Sequence, residues 1–308
     1  MAKNAQNVFD DDYSPWSLAD DARLVRQVTE EAGRIALSYF ARDVKVWEKS
    51  PGNPVCEADM AVDEFLRTTL MQNRTGYGWL SEETEDQPER LRCGRLWVVD
   101  PIDGTRAFIA GGDDWGISVA LVQDQRPVVA AFYAPVKDAF YFAEYGRGAR
   151  KNGKHIEVSG ADNLNTARMM GDPEAFRHEK FWPNPWPETM QAEAANSIAL
   201  RICQIADGQF DCCVTLRPKN DWDVAAADLI LLEAGGICTT AHGKNLIFNR
   251  EKPLHDHIVA VSPALQAPVM ERVKPALTEW QCRVEDAERP VHTYSRKNAL
   301  RHGLFAPI

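Results

Sequence analysis

One segment of the 308-residue chain, WVVDPIDGT at residues 97–105, restricts the possible folds more than any other. The apolar, partly branched run at residues 96–99 predicts a buried strand. Asp100 then lies at the carboxyl end of that strand, and Pro101 turns the chain because it cannot continue a hydrogen-bonded ladder. Asp103 can therefore converge on the same point as Asp100, at the sheet edge where open α/β folds place their ligands.

The residues around these two carboxylates favour a cation at the strand end. Two carboxylates so close together repel each other unless a cation neutralises them. The main-chain carbonyl of Ile102 offers a further oxygen ligand, and a site made of oxygens selects magnesium, manganese or calcium rather than zinc. Gly104 permits close approach of the backbone, and Thr105 opens a segment whose free N–H groups can bind a phosphate. The alternative interpretation is an Asp-Pro turn followed by an Asp-Gly turn, with no ligand.

Acidic residues recur at the ends of two other predicted elements. Glu82 and Glu83 follow an apolar pair at residues 79–80, and Asp223 directly precedes a predicted helix at residues 224–234. A solvated surface acid and a helix N-cap would explain these positions separately. They would not explain why acidic residues recur at three element ends in one chain, whereas a shared cation does.

Hydrophobic periodicity predicts an α/β chain of helices and short strands. Ser17 followed by Asp20 is typical of a capped helix start, and Gly208 is expected to end a later helix in a left-handed conformation. The predicted helices cover residues 17–40, about 58–72, about 198–207 and 224–234. The predicted strands cover residues 96–99, 117–122, 128–133, 140–143 and 258–261, with a hairpin closed by Asn152-Gly153 and a loop at residues 171–187.

This order of elements predicts two tightly packed α/β subdomains with the site in the cleft between them. Residues 1–160 would carry most of the acidic ligands, and residues 161–288 would supply Asp223. Residues 289–308 are basic and poorly periodic, which predicts a tail or an arm over a neighbouring subunit of a homodimer.

Composition excludes several classes of partner. Hydrophobic residues make up 44% and charged residues 26% of the chain, as in ordinary soluble globular proteins. A formal net charge of −10 disfavours binding to nucleic-acid polymers and to anionic membranes, and no apolar run reaches the roughly 20 residues of a membrane helix. The polar, acidic N-terminal segment and seven cysteines without a C-x-x-C pair predict a cytoplasmic protein with reduced thiols.

Four motifs, in this order, resemble those of the inositol monophosphatase superfamily: PVCEAD ending at Asp59, SEET with Glu82, DPIDGT at residues 100–105 and WDVAA with Asp223. The resemblance extends from the first predicted helix to about residue 265. It implies a five-layered αβαβα sugar-phosphatase fold, dependence on two or three magnesium ions and, often, inhibition by lithium. The substrate would be a small phosphorylated metabolite.

The resemblance also implies a role for each matching residue. Metal ligation falls to Glu82, Asp100, Ile102 through its carbonyl, Asp103 and Asp223. The first three would hold one magnesium ion, and Asp100 would share a second ion with the last two. Asp59, Thr105 and Glu82 would be catalytic, the first two by orienting and activating a water. Gly104 and Thr105 would bind the phosphate.

The sequence departs from the inositol phosphatase pattern where the substrate would lie. The stretch VTLRPK at residues 214–219 lacks the carboxylate that would hold an inositol hydroxyl and carries Arg217 and Lys219 instead. Two cations suit a second phosphate. The chain therefore looks most like the 3′(2′),5′-bisphosphate nucleotidases, which remove the 3′-phosphate of adenosine 3′,5′-bisphosphate. Three alternatives stay open: an inositol monophosphatase, a histidinol-phosphate phosphatase, and a non-catalytic binding protein of the same fold.

Overall fold

The computed structural model describes residues 15–177 and 182–288. Helices and strands alternate along this part of the chain. Up to residue 155 they are α1 (Leu18–Tyr39), β1 (Val46–Ser50), β2 (Asn53–Cys56), α2 (Glu57–Asn73), β3 (Gly78–Ser81), β4 (Arg95–Asp103), α3 (Thr105–Ile109), β5 (Gly116–Gln123), β6 (Arg126–Ala134), β7 (Ala139–Glu144), β8 (Ala149–Lys151) and β9 (Lys154–His155). From residue 168 they are β10 (Arg168–Met170), α4 (Pro173–Arg177), β11 (Gln191–Glu193), α5 (Ile198–Ala206), β12 (Cys212–Thr215), β13 (Lys219–Asn220), α6 (Asp221–Glu233), β14 (Ile237–Thr239), β15 (Leu254–His255), β16 (Ile258–Val261) and α7 (Gln266–Glu288).

Two main sheets carry the architecture. Seven strands form the larger sheet in the order β3-β4-β5-β6-β7-β8-β9, and five form the smaller sheet in the order β11-β10-β12-β16-β14. In the larger sheet β3 and β4 run parallel, and every later neighbour is antiparallel. The strands β1 and β2, and likewise β13 and β15, form two further antiparallel pairs.

Side chains alternate between the two faces of each sheet and so separate three hydrophobic cores. On β4, Trp97 packs in the core of α1 and α2, whereas Val98 packs in the core of α5 and α6. On β16, Ala260 shares the core of α5 and α6, whereas Val259 packs in the core that includes α7. The layers are therefore α1 and α2, the larger sheet, α5 and α6, the smaller sheet, and α7, which confirms the predicted αβαβα arrangement.

Most predicted elements are confirmed. Ser17 caps α1, and the side chains of Ser17 and Asp20 each accept a backbone N–H of the other residue. Gly208 follows α5 with a φ of 72°, and Asn152 and Gly153 join β8 to β9 with positive φ angles. The division at residue 160 into two subdomains stays a prediction, and the basic segment at residues 289–308 lies outside the described residues.

The loop predicted at residues 171–187 is a correction, because α4 lies inside it. Pro173 starts this helix, where its missing N–H is no loss. Phe176 is buried and packs against the rings of Trp182 and Trp186. The proline and tryptophan content that suggested a loop therefore belongs to a helix start and a small aromatic core.

Two further findings concern the environment of the chain. Among the described helices, none has the length and apolar character needed to cross a bilayer. The cysteines whose surroundings are described are free thiols, namely Cys56, Cys93, Cys203, Cys212, Cys213 and Cys238.

A buried ion-pair network ties α1 to the beginning of β4, the strand that ends in the acidic residues. Asp21 is fully buried and accepts hydrogen bonds from the Nε atom of Arg74, from the Tyr77 hydroxyl at 2.8 Å and from Nη1 of Arg95 at 3.0 Å. Arg95 is the first residue of β4 and is itself buried. An uncompensated charge is costly in such surroundings, so the network fixes where β4 starts.

We expect Asp21→Ala to lower the free energy of unfolding by about 3 kcal/mol or more, because it leaves two buried arginines without their shared carboxylate. Urea denaturation followed by circular dichroism measures the loss. Asp43→Ala removes an exposed carboxylate and is the matched control, with an expected change within about 0.5 kcal/mol. Equal stability of the two variants would show that the network does not hold the fold.

Candidate metal centre and substrate pocket

The end of β4 contains a bulge that brings Asp100 and Asp103 to the same side of the sheet. Side chains three positions apart on a regular strand point to opposite faces. Here Asp100 pairs with Ser118 and Asp103 with Gly116, so one extra residue is accommodated on β4 between the two pairs. The partners Ser118 and Gly116 are two positions apart and share a face, and the two aspartates therefore do as well.

Asp223 completes a cluster of three carboxylates, which we call the carboxylate cluster. Carboxylate oxygens of Asp100, Asp103 and Asp223, one from each residue, all lie within 4.8 Å of one another. Burial and the neighbouring charges of Glu82, Asp103 and Asp223 raise the pKa of Asp100 well above its usual range. Burial likewise raises the pKa of Asp223 to about 7, although nearby Lys219 lowers it. The cluster thus concentrates negative charge in a buried site where the ionised carboxylates are destabilised.

Backbone and hydroxyl donors from two helices position the cluster. Ser197 and the Ala199 amide, at the start of α5, both donate to Oδ2 of Asp103, the amide at 2.7 Å. The Asn220 amide donates to Oδ2 of Asp223 at 2.6 Å. The prediction that Asp223 directly precedes its helix is wrong, because α6 begins at Asp221 and Asn220 is its N-cap. Asp223 lies in the first turn of α6 instead, where the helix dipole stabilises a negative charge. The Asp223 carboxylate points back toward the N-cap residue.

Glu82 lies on the same pocket but outside the three-carboxylate cluster. It follows β3, and its amide donates to the Val99 carbonyl at 3.3 Å. Lys49 of β1 donates to Glu82 at 2.9 Å and to Glu83 at 2.7 Å. Burial raises the pKa of Glu83 to about 7 even with Lys49 beside it. Lys49 is therefore a cation already placed at the acidic pocket, and the sequence motif gave no signal of this pairing.

The structure brings Asp59 and Thr105 together, as the motif resemblance implied. The Thr105 hydroxyl lies 3.1 Å from Oδ1 of Asp59 and 3.0 Å from the Ile102 carbonyl oxygen. Asp59 is buried in the first turn of α2, and its Oδ2 accepts the Cys56 amide at 2.9 Å. Burial raises the pKa of Asp59, although its donors Cys56 and Thr105 lower it. The arrangement couples a hydroxyl to a buried proton acceptor.

Gly104 is required by the close packing of the turn that carries Thr105. It has a φ of 97°, which side chains other than glycine rarely adopt, and a Cβ there would lie 2.6 Å from the Asp114 carbonyl oxygen. Thr105 then begins α3, a helix of five residues. The predicted close approach of the backbone at Gly104 is therefore confirmed, and its neighbour is the backbone of Asp114 and Trp115.

The carboxylate cluster opens into a pocket of about 310 Å³. Besides the acidic residues, four cations line its wall: Arg106, Arg201, Arg217 and Lys219. Arg217 is exposed and Lys219 half-buried, and Lys219 is close enough to lower the pKa values of Asp103 and Asp223. Arg106 and Arg201 were not predicted as site residues. An arginine inside the mostly apolar run of α5 was the available signal for Arg201.

The donor chemistry of the cluster fits hard divalent cations. All of its side-chain ligands would be carboxylate oxygens. Among the described residues, these three side chains are the acidic, histidine or cysteine group whose spacing could hold a metal ion. Burial and mutual repulsion raise the pKa of Asp100, and a divalent ion removes the repulsion. Magnesium or another oxygen-seeking ion therefore suits these residues better than zinc.

Comparison with known proteins places the chain in a family. A model of the inositol monophosphatase family matches residues 19–277. The 3′(2′),5′-bisphosphate nucleotidase CysQ of Aggregatibacter actinomycetemcomitans is 31% identical over 235 residues, which cover 74% of this chain and 87% of that protein. A histidinol-phosphatase of Mycobacterium tuberculosis is also 31% identical, over 239 residues that cover 73% of this chain and 88% of that protein.

A solved structure extends the match to the whole architecture. The IMPase of Thermotoga maritima is similar with a TM-score of 0.71 and 26% sequence identity, and the match covers 85% of this chain and 98% of that one. Two relatives with equal identity to this chain are named for different substrates. The similarity therefore identifies the reaction, phosphate hydrolysis, but not the substrate. The chain belongs to the inositol monophosphatase family, and it is a metal-dependent phosphatase.

Proposed function

We propose that the protein is a magnesium-dependent phosphomonoesterase that removes the 3′-phosphate of adenosine 3′,5′-bisphosphate. One observation supports this best: a single pocket joins the carboxylate cluster to a wall of four cations. The cluster suits the phosphate that is cleaved, through bound metal. The cationic wall suits an anionic group that stays on the substrate.

We assign the metal ligands as the motif resemblance implied: Glu82, Asp100, the Ile102 carbonyl, Asp103 and Asp223. When bound there, two or three magnesium ions would neutralise the carboxylates and supply Lewis-acid activation of water and phosphate. The protein holds its ligands ready for this role. Ser197 and Ala199 fix Asp103, and the Asn220 amide fixes Asp223.

Thr105 and Asp59 would handle the proton of the attacking water. The Thr105 hydroxyl can donate to Asp59 across 3.1 Å, which leaves a lone pair on Oγ1 to accept a hydrogen bond from water. As water loses its proton to Thr105, Thr105 passes its own to Asp59. The raised pKa of Asp59 makes it a better acceptor near neutral pH. Glu82, on the same pocket, would help to orient the water.

The backbone at Gly104 and Thr105 would bind the phosphate that is cleaved. Gly104 turns the chain so that α3 begins beside the carboxylate cluster. The first amides of a helix have no partner within the helix and can donate to phosphate oxygens. These donors hold the phosphorus at a fixed distance from the water that Thr105 orients.

The cationic wall would select the substrate. Arg217 is exposed at the pocket and can reach a phosphate that is not cleaved, and Arg201 lines the same pocket from α5. Lys219 lies closer to Asp103 and Asp223 and so contributes to both the wall and the carboxylate cluster. A monophosphate with a neutral body, such as inositol 1-phosphate, makes no use of Arg217 or Arg201.

The phosphatase assignment is tested by phosphate release from adenosine 3′,5′-bisphosphate, inositol 1-phosphate and histidinol phosphate, each with magnesium and with excess chelator. We expect activity only with magnesium, and the highest kcat/KM for the bisphosphate. Asp100→Asn should lower kcat by about 10³-fold or more, because it removes charge from a ligand shared by two ions. The exposed Asp162→Asn is the control. Full turnover in chelator would contradict the proposal, and a preference for another substrate would correct its specificity.

Arg217→Gln tests the role of the wall in specificity. A charge-assisted contact to phosphate contributes about 1.5–3 kcal/mol, so the KM for adenosine 3′,5′-bisphosphate should rise about 10-fold or more. The kinetics with inositol 1-phosphate should hardly change. Lys219→Gln should impair both substrates, since Lys219 also faces the carboxylate cluster. The exposed Arg67→Gln serves as a matched control, and equal losses on both substrates for Arg217→Gln would contradict a second-phosphate contact.

The raised pKa of Asp223 predicts how the metal-free protein responds to pH. Its ionised form is disfavoured in the fold, so the destabilisation is absent below the ordinary pKa of 3.8 and complete above about 7. The full difference corresponds to at most about 4 kcal/mol. In chelator, the melting temperature of the wild type should therefore fall relative to that of Asp223→Asn between pH 4 and pH 8.

Magnesium should restore the wild type at pH 8 and have less effect on Asp223→Asn. Thermal melts followed by circular dichroism measure both comparisons. A constant difference between the two proteins across this pH range would show that Asp223 carries no such penalty.

A further inference from the structure

A second pocket, of about 290 Å³, lies between α1 and the β7–β8 hairpin. It is lined by Arg26, Phe142, Glu144, Arg147, Gly148 and Arg150, and we call it the arginine pocket. None of these residues lines the pocket of the carboxylate cluster. No role in the phosphatase reaction has been assigned to any of them.

Strand register places the arginine pocket at the opposite end of the larger sheet from the carboxylate cluster. Glu144 on β7 pairs with Val129, Val129 with Leu121, and Leu121 with Trp97 on β4. Trp97 precedes Asp100 by three residues, and three strand spacings separate β4 from β7. These steps amount to roughly 17 Å, too far for one small ligand to reach both sites.

Positive charge predominates among the lining residues, which include three guanidinium groups and one carboxylate. The Arg26 guanidinium carbon lies 3.5 Å from the centre of the Phe142 ring, so the aromatic face fixes its position. Arg147 makes only a loose pair with Glu144, at 3.7 Å. Arg150 donates one N–H to the Gly153 carbonyl at 3.1 Å and keeps four others.

Arg26 is half-buried and lies near charges of both signs, so its own positive charge is costly where it lies. Burial lowers the pKa of Arg26 most, and the neighbouring Arg150 lowers it further. Glu144 and Glu30 act in the opposite direction, yet the net change is downward. A nearby acid that could help, Glu233, is already engaged, because its two oxygens accept the amides of Gly146 and Gly148, each at 2.7 Å.

We propose that the arginine pocket binds the phosphate group of a small anion at a site separate from the catalytic one. Guanidinium groups present paired N–H donors that match phosphate oxygens, and Arg26 and Arg150 converge from two elements. A dianion there relieves the repulsion between these arginines. The surrounding chain carries a net charge of −10, so a local excess of positive charge here is a specific feature rather than a general one.

Recognition in this pocket depends on the phosphate rather than on an attached ring. Phe142 is 2% exposed, and Arg26 lies over its ring, which leaves no aromatic surface for a base to stack on. Inorganic phosphate and adenosine 5′-monophosphate should therefore bind with similar affinity, and adenosine should not bind.

Isothermal titration calorimetry of the full chain in excess chelator tests the proposal with these three compounds. Without metal, the carboxylate cluster repels phosphate, and comparison of the Arg150 and Arg217 variants separates binding in the arginine pocket from binding to the cationic wall. Arg150→Gln should weaken the binding of inorganic phosphate by about 10-fold or more. Arg147→Gln should weaken it less, because Arg147 is already paired with Glu144.

Two controls locate the site. Arg217→Gln removes a cation from the catalytic pocket and should weaken phosphate binding in chelator less than Arg150→Gln does, and the exposed Arg42→Gln should leave it unchanged. Circular dichroism confirms that each variant is folded. No phosphate binding by the wild type in chelator, or binding that Arg217→Gln weakens and Arg150→Gln does not, would overturn the proposal.

Discussion

Repulsion among Asp100, Asp103 and Asp223 is the constraint on which the rest of the structure depends. Three carboxylates with oxygens within 4.8 Å of one another are unfavourable in a buried place. The fold tolerates them because strong donors are directed at them. The Ser197 hydroxyl and the Ala199 backbone amide donate to Asp103, and the Asn220 backbone amide donates to Asp223. The donors do not cancel all of the repulsion among the carboxylates. A bound divalent ion would remove the remainder, and this relief would favour its binding.

The layered fold follows from the need to deliver those groups to one point. The cluster takes two carboxylates from β4, an interior strand of the larger sheet, and one from α6, and the start of α5 supplies the donors to Asp103. Both helices form the middle layer and start at the cluster, so that their N-terminal dipoles face its negative charge. The buried Asp21–Arg95 pair holds the other end of β4. A shift at that end would move the strand along its register and disturb the bulge between Asp100 and Asp103.

Local sequence predicted the parts of the molecule that depend on local physics. The strand before Asp100, the capped start at Ser17 and the glycine after α5 follow from hydrophobic pattern and backbone sterics. The sequence Asn-Asp-Trp-Asp contains three residues that can each cap a helix, so that pattern alone misplaced the start of α6. Long-range contacts gave no local signal: Ser197 meets Asp103 across 94 positions, and Lys49 meets Glu82 across 33. Positions such as Arg201 become site residues only once the layers are packed.

Charge therefore divides the catalytic pocket into two parts that can change independently. With the proposed ligands, loss of any member of the carboxylate cluster would lower the metal affinity that the reaction requires. The cationic wall is free of that requirement at Arg217, which lines the pocket but lies beyond the cluster. A change of wall residues would alter the anionic group that the substrate must carry while leaving hydrolysis intact. Such a division would allow a nucleotidase and a histidinol-phosphatase each to be 31% identical to one chain. Under the proposed function, a few side chains on the wall would choose the substrate, and the cluster would carry out the hydrolysis.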